Sequence, residues 1–420
     1  MTREEMLAFV EAVLERVKAP HAVAVLSEDR LASVRFGQNR ITQNMDTFTR
    51  ELSISVGDGS RRAEYTSHRI DTTAIPEIVK TAERLLEGSA ADPEYMPPVE
   101  EGQIYPVVEA WDEQTAAAEP APRIGAATAA IESAGRAGIE TAGLASMAFE
   151  KTALATSTGN LAWHQATESG FQLTMHAGTG SSYVSTHSTA WSGIPVSDCI
   201  EQVVEEAVAA RDPGESPPGI IDVVLEPQAV ADIMPFILMA LNARTSDEGI
   251  TVFSGMEGES VASERFTLRS EFGGPVPGRP FDREGLACSE QVWIERGVVR
   301  AMHCDRYWAR KTGRPAVPSP STYGMDGDAG TAADLAAMSS RCIRIRRLWY
   351  IRFVDQKSLE LTGMTRDGVF LYEGGSCRPV KDFRWNWKPL DLFSRIEALG
   401  KPVRKGWLTV PPVLVGGVKI

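Results

Sequence analysis

The chain has 420 residues, of which 43% are hydrophobic and 24% charged, and its formal net charge is −13. The length predicts two or three domains rather than one. The negative charge argues against a protein that binds nucleic acid directly, because such proteins usually present a basic face. No run of about 18 apolar residues occurs, so no transmembrane helix is expected.

Cysteine usage and the N-terminal sequence both predict a cytoplasmic protein. The N-terminus has neither the basic start nor the apolar run of a signal peptide. The cysteines are odd in number, widely spaced and free of any Cys-x-x-Cys pair, which does not indicate disulfides. They lie at Cys199, Cys288, Cys304, Cys342 and Cys377.

Helices are predicted where apolar residues recur at spacings of three and four. The first begins at Thr2, a capping residue that Glu5 follows three positions later. In chain order, the predicted helices span 2–18, 74–86, about 124–137, 196–210 and 227–241. Pro227 suits the first position of the last of these helices, and Pro235 should bend it.

Strands are predicted where apolar and polar residues alternate, or where short apolar runs end at turn residues. The first two, at 22–26 and 31–36, are separated by a polar turn. Further strands are predicted at 50–56, as several short strands between 139 and 192, at 220–225, and as mainly strands and turns from 251 onward.

These elements predict an α+β fold with two domains. The Pro- and Gly-rich stretch 212–219 marks the boundary between them. The first domain, 1–213, combines helices with antiparallel strands and contains a linker-like stretch at 89–122. The second domain, 220–420, is expected to be mainly antiparallel β structure.

No catalytic motif stands out in the sequence. Gly-x-Ser-x-Gly and the phosphate-binding glycine motifs are missing. No two of the six histidines lie within five residues of each other, which excludes a pair of zinc ligands on one helix. A metal site assembled from His176, His187, His303 and Cys304 is an alternative, although their spacings match no known ligand pattern.

Three further segments have both a structural and a functional interpretation. Asp-Gly at 367–368, between two apolar stretches, predicts a hairpin turn. The alternative is contact with a peptide or partner, in which Arg366 could fork onto a carboxylate. The loop at 178–182 is interpreted as structural, and the aromatic patch at 383–387 as an anchored strand or an interface.

Two stretches near the C-terminus carry a family resemblance. Tyr-Ile-Arg-Phe-Val-Asp at 350–355 and Thr-Gly-Met-Thr-Arg-Asp-Gly at 362–368 resemble the closing domain of the TldD/PmbA family, also called modulators of DNA gyrase. Weaker likenesses, in the family's order, lie at 33–43, 153–159, 249–255, 261–264, 279–285 and 305–311. The run at 362–368 is typical of the PmbA (TldE) branch, which lacks zinc. Its residues for peptide or interface contact would be Gly363, Thr365, Arg366, Asp367 and Gly368.

The resemblance also indicates where zinc ligands would lie. Some members of the family are zinc peptidases with His-Glu-x-x-x-His on a helix. Alignment without gaps places that slot at 234–239, where Met234 and Met239 replace the ligands and Pro235 replaces the general base. The Gly-rich stretch that supplies a cysteine ligand in metal-binding relatives corresponds to 403–412, which has no cysteine. The resemblance therefore implies no catalytic residue, metal or cofactor in this chain.

The function that the resemblance implies is a PmbA/TldE-like, non-catalytic subunit of a heterodimeric TldD/TldE-type zinc metallopeptidase that processes or degrades peptides. Zinc is then expected in a TldD-like partner, and the two chains would enclose a chamber for unfolded peptide. Whether this chain is itself an enzyme stays open. The alternatives are a stand-alone homodimeric peptide-binding protein, or a hydrolase with an unrecognised site.

Overall fold

A computed structural model describes residues 1–270, 272 and 277–420 of the chain. The fold is α+β, as predicted from the sequence. Its first part contains a six-stranded antiparallel sheet in the order β3-β2-β1-β4-β5-β6, here called the N-terminal sheet. The strands are β1 (His21–Gly37), β2 (Arg40–Gly57), β3 (Arg62–Ser67), β4 (Glu140–Thr156), β5 (Leu161–Ala177) and β6 (Gly180–Ser188).

Helices cover one face of the N-terminal sheet and leave the other face for the second part of the chain. They are α1 (Arg3–Leu14), α2 (Ile75–Gly88), α3 (Glu113–Ala117), α4 (Pro120–Ala137) and α5 (Val196–Ala209). Even-numbered residues of β1 are buried with α1 and α2 near Ala24 and with α4 and α5 near Val34. Since side chains alternate along a strand, both helix pairs lie on the same face.

The first helix begins where its capping residues predict. The Thr2 hydroxyl accepts the Glu5 amide hydrogen at 3.2 Å, and the Glu5 carboxylate accepts the Thr2 amide hydrogen at 2.8 Å. This capping box satisfies two of the amide groups that a helix N-terminus leaves unpaired. Met6, Val10 and Val13 then bury their side chains completely against the sheet.

The polar turn predicted between 26 and 31 is wrong, because β1 runs unbroken through it. Glu28 lies in the middle of that stretch and is only 1% exposed. Its carboxylate forms ion pairs with Arg50 on β2 and with the amino group of Met1. These two cations come from distant positions and compensate the charge, which makes a buried glutamate tolerable within a strand.

The prediction of several short strands between 139 and 192 is also corrected. The chain there forms three strands of 9 to 17 residues, β4 to β6, because most of its glycines and serines lie within the strands and pair across the sheet. Gly170, for example, lies opposite both Ser146 and His187. The linker-like stretch 89–122 is mostly irregular but includes α3 and the first turn of α4.

The second part of the chain combines two mixed sheets with short helices. The large sheet has the order β14-β13-β12-β7-β19-β16, with β15 paired to β13, and the small sheet has the order β10-β9-β8-β11-β18-β17. Most pairs are antiparallel, while β7–β12 and β11–β18 are parallel. One hydrophobic core, which includes Trp293, Trp385 and Phe393, joins both sheets.

The strands and helices of the second part have the following bounds. The strands are β7 (Ile220–Leu225), β8 (Leu268–Ser270), β9 (Gln291–Glu295), β10 (Val298–Val299), β11 (Tyr323–Met325), β12 (Arg341–Asp355), β13 (Glu360–Glu373), β14 (Ser376–Pro379), β15 (Arg384–Trp387), β16 (Ile396–Leu399), β17 (Val403–Lys405), β18 (Leu408–Val410) and β19 (Val413–Lys419). The helices are α6 (Pro227–Ala240), α7 (Ala243–Asp247), α8 (Arg306–Thr312), α9 (Ala332–Met338) and α10 (Pro389–Phe393).

Strands and turns dominate this part as predicted, although short helices interrupt them. The prediction at 271 and 273–276 lies outside the described residues. Pro227 is the first residue of α6, and the helix continues through Pro235. The domain boundary at 212–219 stays a prediction, since Gly214 in that stretch also pairs with Val380 of the second part. Within the described residues, no helix is both long and apolar enough to cross a membrane.

Charged side chains join the two parts along a contact that we call the seam, formed by α5 and β6 against β12, β13 and β17. Glu206 of α5 pairs with Arg346 of β12 and accepts a hydrogen bond from the Ser182 hydroxyl at 2.8 Å. The Lys405 ammonium donates to the Ser185 carbonyl at 2.7 Å. Because Arg346 is only 5% exposed, these contacts are largely removed from water.

Candidate functional site

A cleft of about 670 Å³ lies over the face of the N-terminal sheet that the helices do not cover. Strands β1, β2, β4 and β5 form its floor, and loops near 277–279, 321–322 and 404–407 form its opposite wall. The volume is within the range of roughly 300–1,000 Å³ that is usual for ligand sites, and a position between two parts of a chain is common for them. We therefore take the cleft as the candidate functional site.

An ion pair spans the middle of the cleft. Strand register places Asp29 of β1 directly opposite Glu150 of β4. Arg279, from the opposite wall, binds Glu150 through two contacts, with its Nε 2.9 Å from Oε1 and its Nη2 on the other oxygen. This contact raises the pKa of Arg279, while burial and then the neighbouring Glu150 raise the pKa of Asp29. The pair therefore bridges the two walls of the cleft.

A second polar group lies further along the same face. The His187 Nδ1 is 3.0 Å from the Glu168 carboxylate, and its Nε2 is 3.0 Å from the Ser185 hydroxyl. The bond from His187 lowers the pKa of Glu168, which therefore stays ionised at neutral pH. The Arg404 guanidinium lies 3.8 Å from Glu168 and approaches it from the opposite wall. This end of the cleft is therefore also polar, and the contact between Arg404 and Glu168 joins its two walls.

His164 of β5 is buried between this cleft and a smaller pocket of about 260 Å³, here called the inner pocket. The side chain is 5% exposed and lies opposite Thr152 of β4. Burial lowers the pKa of His164 to about 4, so the imidazole is neutral near pH 7. Its ring nitrogens form no hydrogen bond with any described residue.

The arrangement of these groups suits binding better than attack on a substrate. Glu150 and Glu168 are both engaged in ion pairs, and His187 is held at both ring nitrogens. A catalytic nucleophile needs a base within hydrogen-bonding distance that is itself oriented by a third group. Ser185, His187 and Glu168 form a hydrogen-bonded series of this kind, but Ser185 is only 4% exposed and does not line the cleft. The polar groups that line the cleft and the exposed apolar surface at Trp407 can instead hold a ligand.

The family-motif residues lie at the seam and not in the cleft, and the predicted hairpin turn there is wrong. Thr365, Arg366, Asp367 and Gly368 are inside β13, where two residues of β13 oppose the single residue Arg346 of β12. Asp367 and Gly368 have φ angles of +57° and +118°, which defines a β-bulge with glycine at the more strained position. The actual hairpin turn follows Asp355.

The bulge directs the Asp367 carboxylate into the seam, where it is 1% exposed. One oxygen accepts a hydrogen bond from the Ser181 hydroxyl at 2.9 Å, and the other lies 3.0 Å from Arg347 and 3.5 Å from Arg366. Arg366 also lies over the ring of Trp349, 4.9 Å from its centroid. The Asp367 carboxylate therefore joins two arginines of the second part to Ser181 of the first part of the same chain.

Two other motif residues support the strand around the bulge. The Thr365 hydroxyl donates to the Asp382 carboxylate at 3.2 Å, and burial raises the pKa of Asp382 to about 6. Gly363 lies opposite Trp385 of β15, whose ring leaves no space for a larger side chain. Trp385 and Trp387 are buried and stacked with centroids 4.7 Å apart, in line with the predicted anchored strand.

The residues of the zinc-helix slot lie on α6 and do not converge. Met234 is completely buried in the hydrophobic core, Pro235 is exposed, and Met239 is 56% exposed. Zinc in proteins is held by cysteine, histidine or carboxylate groups. Met234 and Met239 offer only thioether groups, one buried and one exposed, and therefore do not fit zinc.

The alternative metal site is not assembled either. His187 lies in the cleft, His176 is exposed at the end of β5, and His303 is hydrogen-bonded to the Val317 carbonyl at 2.8 Å. Cys304 is buried next to His303. Over the described parts of the chain, no three or more His, Cys, Asp or Glu side chains are grouped so as to hold a metal ion.

Comparison with known proteins relates the chain to one family. Residues 218–420 match the model of the PmbA/TldA metallopeptidase C-terminal domain. No curated protein sequence matches the chain. The second part of the chain therefore matches the C-terminal domain of this family, and the fold of the whole chain is shared with the solved structures described next.

The solved structures cover the full length of the chain. The TldE structure from Thermococcus kodakarensis is similar with a TM-score of 0.90 and 15% identity, covering 99% of both chains. A suggested DNA gyrase modulator from Thermotoga maritima has a TM-score of 0.86 and 17% identity, covering 100% of both chains. Another from Bacteroides thetaiotaomicron has a TM-score of 0.86 and 18% identity, covering 100% of this chain and 99% of the other. At such identities the similarity establishes the fold.

Proposed function

We propose that this chain is the PmbA/TldE-like, non-catalytic subunit of a heterodimeric TldD/TldE-type zinc metallopeptidase that processes or degrades peptides. The observation that carries the proposal is a long unpaired strand edge beside the cleft, on a chain whose zinc-helix slot does not suit zinc. The chain would hold extended peptide, and a TldD-like partner would supply the zinc. The match of residues 218–420 to a metallopeptidase C-terminal domain supports both statements.

The unpaired edge belongs to β2. Its neighbour β3 pairs only with residues 52–57, so residues 40–51 have no strand partner on that side among the described residues. His68 donates to the outward-facing Arg50 carbonyl at 3.0 Å. Because backbone groups alternate in direction along an antiparallel strand, those of Asn44, Asp46 and Phe48 also face outward. An extended peptide can pair with such an edge through its main chain.

The same strand borders the cleft. Thr47 and Thr49 alternate with the outward-facing residues and line the cleft beside Leu31. A peptide added to the edge would therefore continue the cleft floor and place alternate side chains over it. Main-chain pairing requires no particular sequence, which suits a protein that receives unfolded peptides of different composition.

A surface for the partner is offered at the end of the β12–β13 hairpin. Four apolar residues, here called the aromatic strip, are exposed along β12, namely Trp349, Tyr350, Phe353 and Val354. Phe353 contacts Phe236 of α6 with ring centroids 5.2 Å apart, and Met239 is one turn further along that helix. Exposed apolar surface of this kind is typical of contacts between proteins.

The proposal is tested by a native pull-down of the chain from its own cells, with zinc analysis and a casein cleavage assay on the eluate. We expect a partner that carries His-Glu-x-x-x-His, and cleavage only when both chains are present. A lone, metal-free and inactive dimer would instead favour a homodimeric peptide-binding protein. A lone chain that binds one zinc ion and cleaves casein would refute the proposal.

A double substitution tests the aromatic strip in the same assay. Tyr350 and Val354 are 67% and 54% exposed, so Tyr350→Asp with Val354→Asp should leave the chain folded. We expect at least a tenfold loss of partner recovery, because two charges would be buried at an apolar contact. Met338→Asp is the matched control, since Met338 is 66% exposed on α9. Equal losses in both variants would contradict the assignment of the strip.

A further inference from the structure

The inner pocket extends the cleft toward the end of the sheet where β1 begins. Strand register places Asp29 and Glu150 in one row of the sheet, Ser27, Thr152 and His164 in the next, and Val25 and Leu154 in the row beyond. The cleft covers the first of these rows and the inner pocket the last, and His164, Arg279 and Ser321 line both. The two spaces therefore meet at His164.

The size of the inner pocket suits a single side chain. Its volume of about 260 Å³ is below the roughly 300–1,000 Å³ of pockets that enclose whole small ligands. The cleft, at about 670 Å³, has room for a longer segment of chain. A ligand that occupies both spaces would lie along the cleft and project one group past His164.

The floor of the inner pocket is apolar. Val25 and Leu154 come from the sheet, and Phe281 closes the pocket from the second part of the chain. Leu154 and Phe281 are buried in one hydrophobic cluster. Burial raises the pKa of the Cys288 thiol to about 12, so this wall residue is uncharged and also suits an apolar neighbour.

Two of the three charged residues that line the pocket, Asp282 and Arg279, are already engaged by their own surroundings. One carboxylate oxygen of Asp282 accepts the amide hydrogens of Glu284 and Leu286, both at 2.9 Å. Arg279 gives its Nε and Nη2 to Glu150. The third, Arg283, is exposed to water, so a charged side chain that enters the pocket would lose its own water in exchange for at most a weak, screened ion pair.

His164 supplies the polar contact that a peptide main chain requires. It is 5% exposed, lines both spaces and has no hydrogen bond with a described residue. Because its ring nitrogens have no protein partner, a ligand in the cleft can form a hydrogen bond with them without displacing another residue. A neutral imidazole has one donor and one acceptor nitrogen, which match a peptide carbonyl and amide group.

We propose that the inner pocket is a specificity pocket that takes one uncharged apolar side chain of an extended peptide, while His164 hydrogen-bonds to the peptide main chain beside it. This inference rests on the proposed function, since it names which peptides the chain would select. The unpaired strand edge would accept any sequence, and the pocket would favour peptides with a residue such as leucine or phenylalanine at one position.

The test uses fluorescein-labelled peptides Gly-Ser-Gly-X-Gly-Ser-Gly, where X is Leu, Phe, Gly, Asp or Lys. Binding to the full chain, alone and with its co-purified partner, is measured by fluorescence anisotropy. We expect the Leu or Phe peptide to bind about tenfold or more tightly than the Gly peptide, because a buried apolar side chain is worth that much affinity. The Asp and Lys peptides should bind no better than the Gly peptide.

Two variants separate the pocket from the hydrogen bond. Ser319 is exposed at the pocket, and Ser319→Trp should fill it and reduce the preference for Leu over Gly to less than about twofold. His164→Phe should lower the affinity for every peptide by about two- to tenfold and keep the preference for Leu over Gly. His164→Gln should restore part of the affinity. His176→Phe, at an exposed position of the same strand, is the control and should change nothing.

The possible results distinguish this inference from the proposed function. Equal affinity for the Leu and Gly peptides, or a Leu preference that survives Ser319→Trp, would overturn the pocket and leave the subunit proposal standing. Tighter binding of the Lys or Asp peptide would also overturn it. If no peptide binds the chain, alone or with its partner, the pocket is refuted together with the peptide-holding role.

Discussion

Replacing Asp367 should destabilise the β12–β13 pair and weaken the seam. Its carboxylate is 1% exposed and is shared by Arg347 at 3.0 Å and the Ser181 hydroxyl at 2.9 Å. The Arg347 side chain is itself only 15% exposed. Asp367→Ala would therefore leave a largely buried guanidinium without its carboxylate.

The expected cost follows from two contributions. Removing one partner of a buried ion pair typically costs about 3–5 kcal/mol, and the partial exposure of Arg347 favours the lower end of that range. The backbone at 367 has φ +57°, which alanine adopts less readily than aspartate or asparagine, at a cost of about 1 kcal/mol. Asp367→Asn keeps the favourable backbone preference, so it should be about 1 kcal/mol less destabilising than Asp367→Ala.

Urea unfolding followed by tryptophan fluorescence measures this cost. The free energy of the first transition is compared, because a chain with two parts need not unfold in one step. Glu373→Ala on the same strand is the control, since Glu373 forms an exposed ion pair with Arg341 and should contribute less than about 1 kcal/mol. A change below about 1 kcal/mol for Asp367→Ala would refute the reasoning.

Three further predictions concern the strand edge, His164 and α6. Phe48→Pro removes an outward amide hydrogen of β2, so peptide affinity in the anisotropy assay should fall at least fivefold, whereas Phe48→Ala should not cause this loss. His164 has a pKa of about 4 in the folded chain against its ordinary 6.5, so the unfolded chain binds more protons between these values and stability falls as the pH falls. Between pH 7 and pH 4, the free energy of unfolding of the wild-type chain should fall by about 3 kcal/mol more than that of His164→Phe, measured by urea unfolding. Met234→Ala should cost about 2–4 kcal/mol in the same measurement because Met234 is fully buried, and Met239→Ala less than about 0.5 kcal/mol because Met239 is exposed.

Local signals in the sequence predicted the elements whose causes are local. The cap at Thr2 and the apolar spacing after it located α1, and Pro227 located the start of α6. Polar residues at 27–30 predicted a turn, whereas β1 continues because Arg50 and the Met1 amino group neutralise Glu28. Such neutralisation of a charge by groups far away in the chain leaves no local pattern in the sequence.

The same limit applies to the site. Asp-Gly at 367–368 predicts a turn, but in the structure it is a bulge whose carboxylate binds Ser181 of the other part of the chain, far away in sequence. His164 and Glu150 meet only through strand register, which composition does not encode. Arg279 was within a stretch of family resemblance, and this was the one signal that could have indicated its role.

The ion pairs of the seam have a consequence for recombination between relatives. Glu206 and Arg346 are separated by 140 residues along the chain, yet each carries the charge that the other neutralises. A chimera joined at 212–219, where a loop would seem a safe crossover point, inherits one member of each such pair from either parent. Crossovers at this loop should yield folded protein only when both parents use the same charges at the seam, so these positions are expected to change together during evolution.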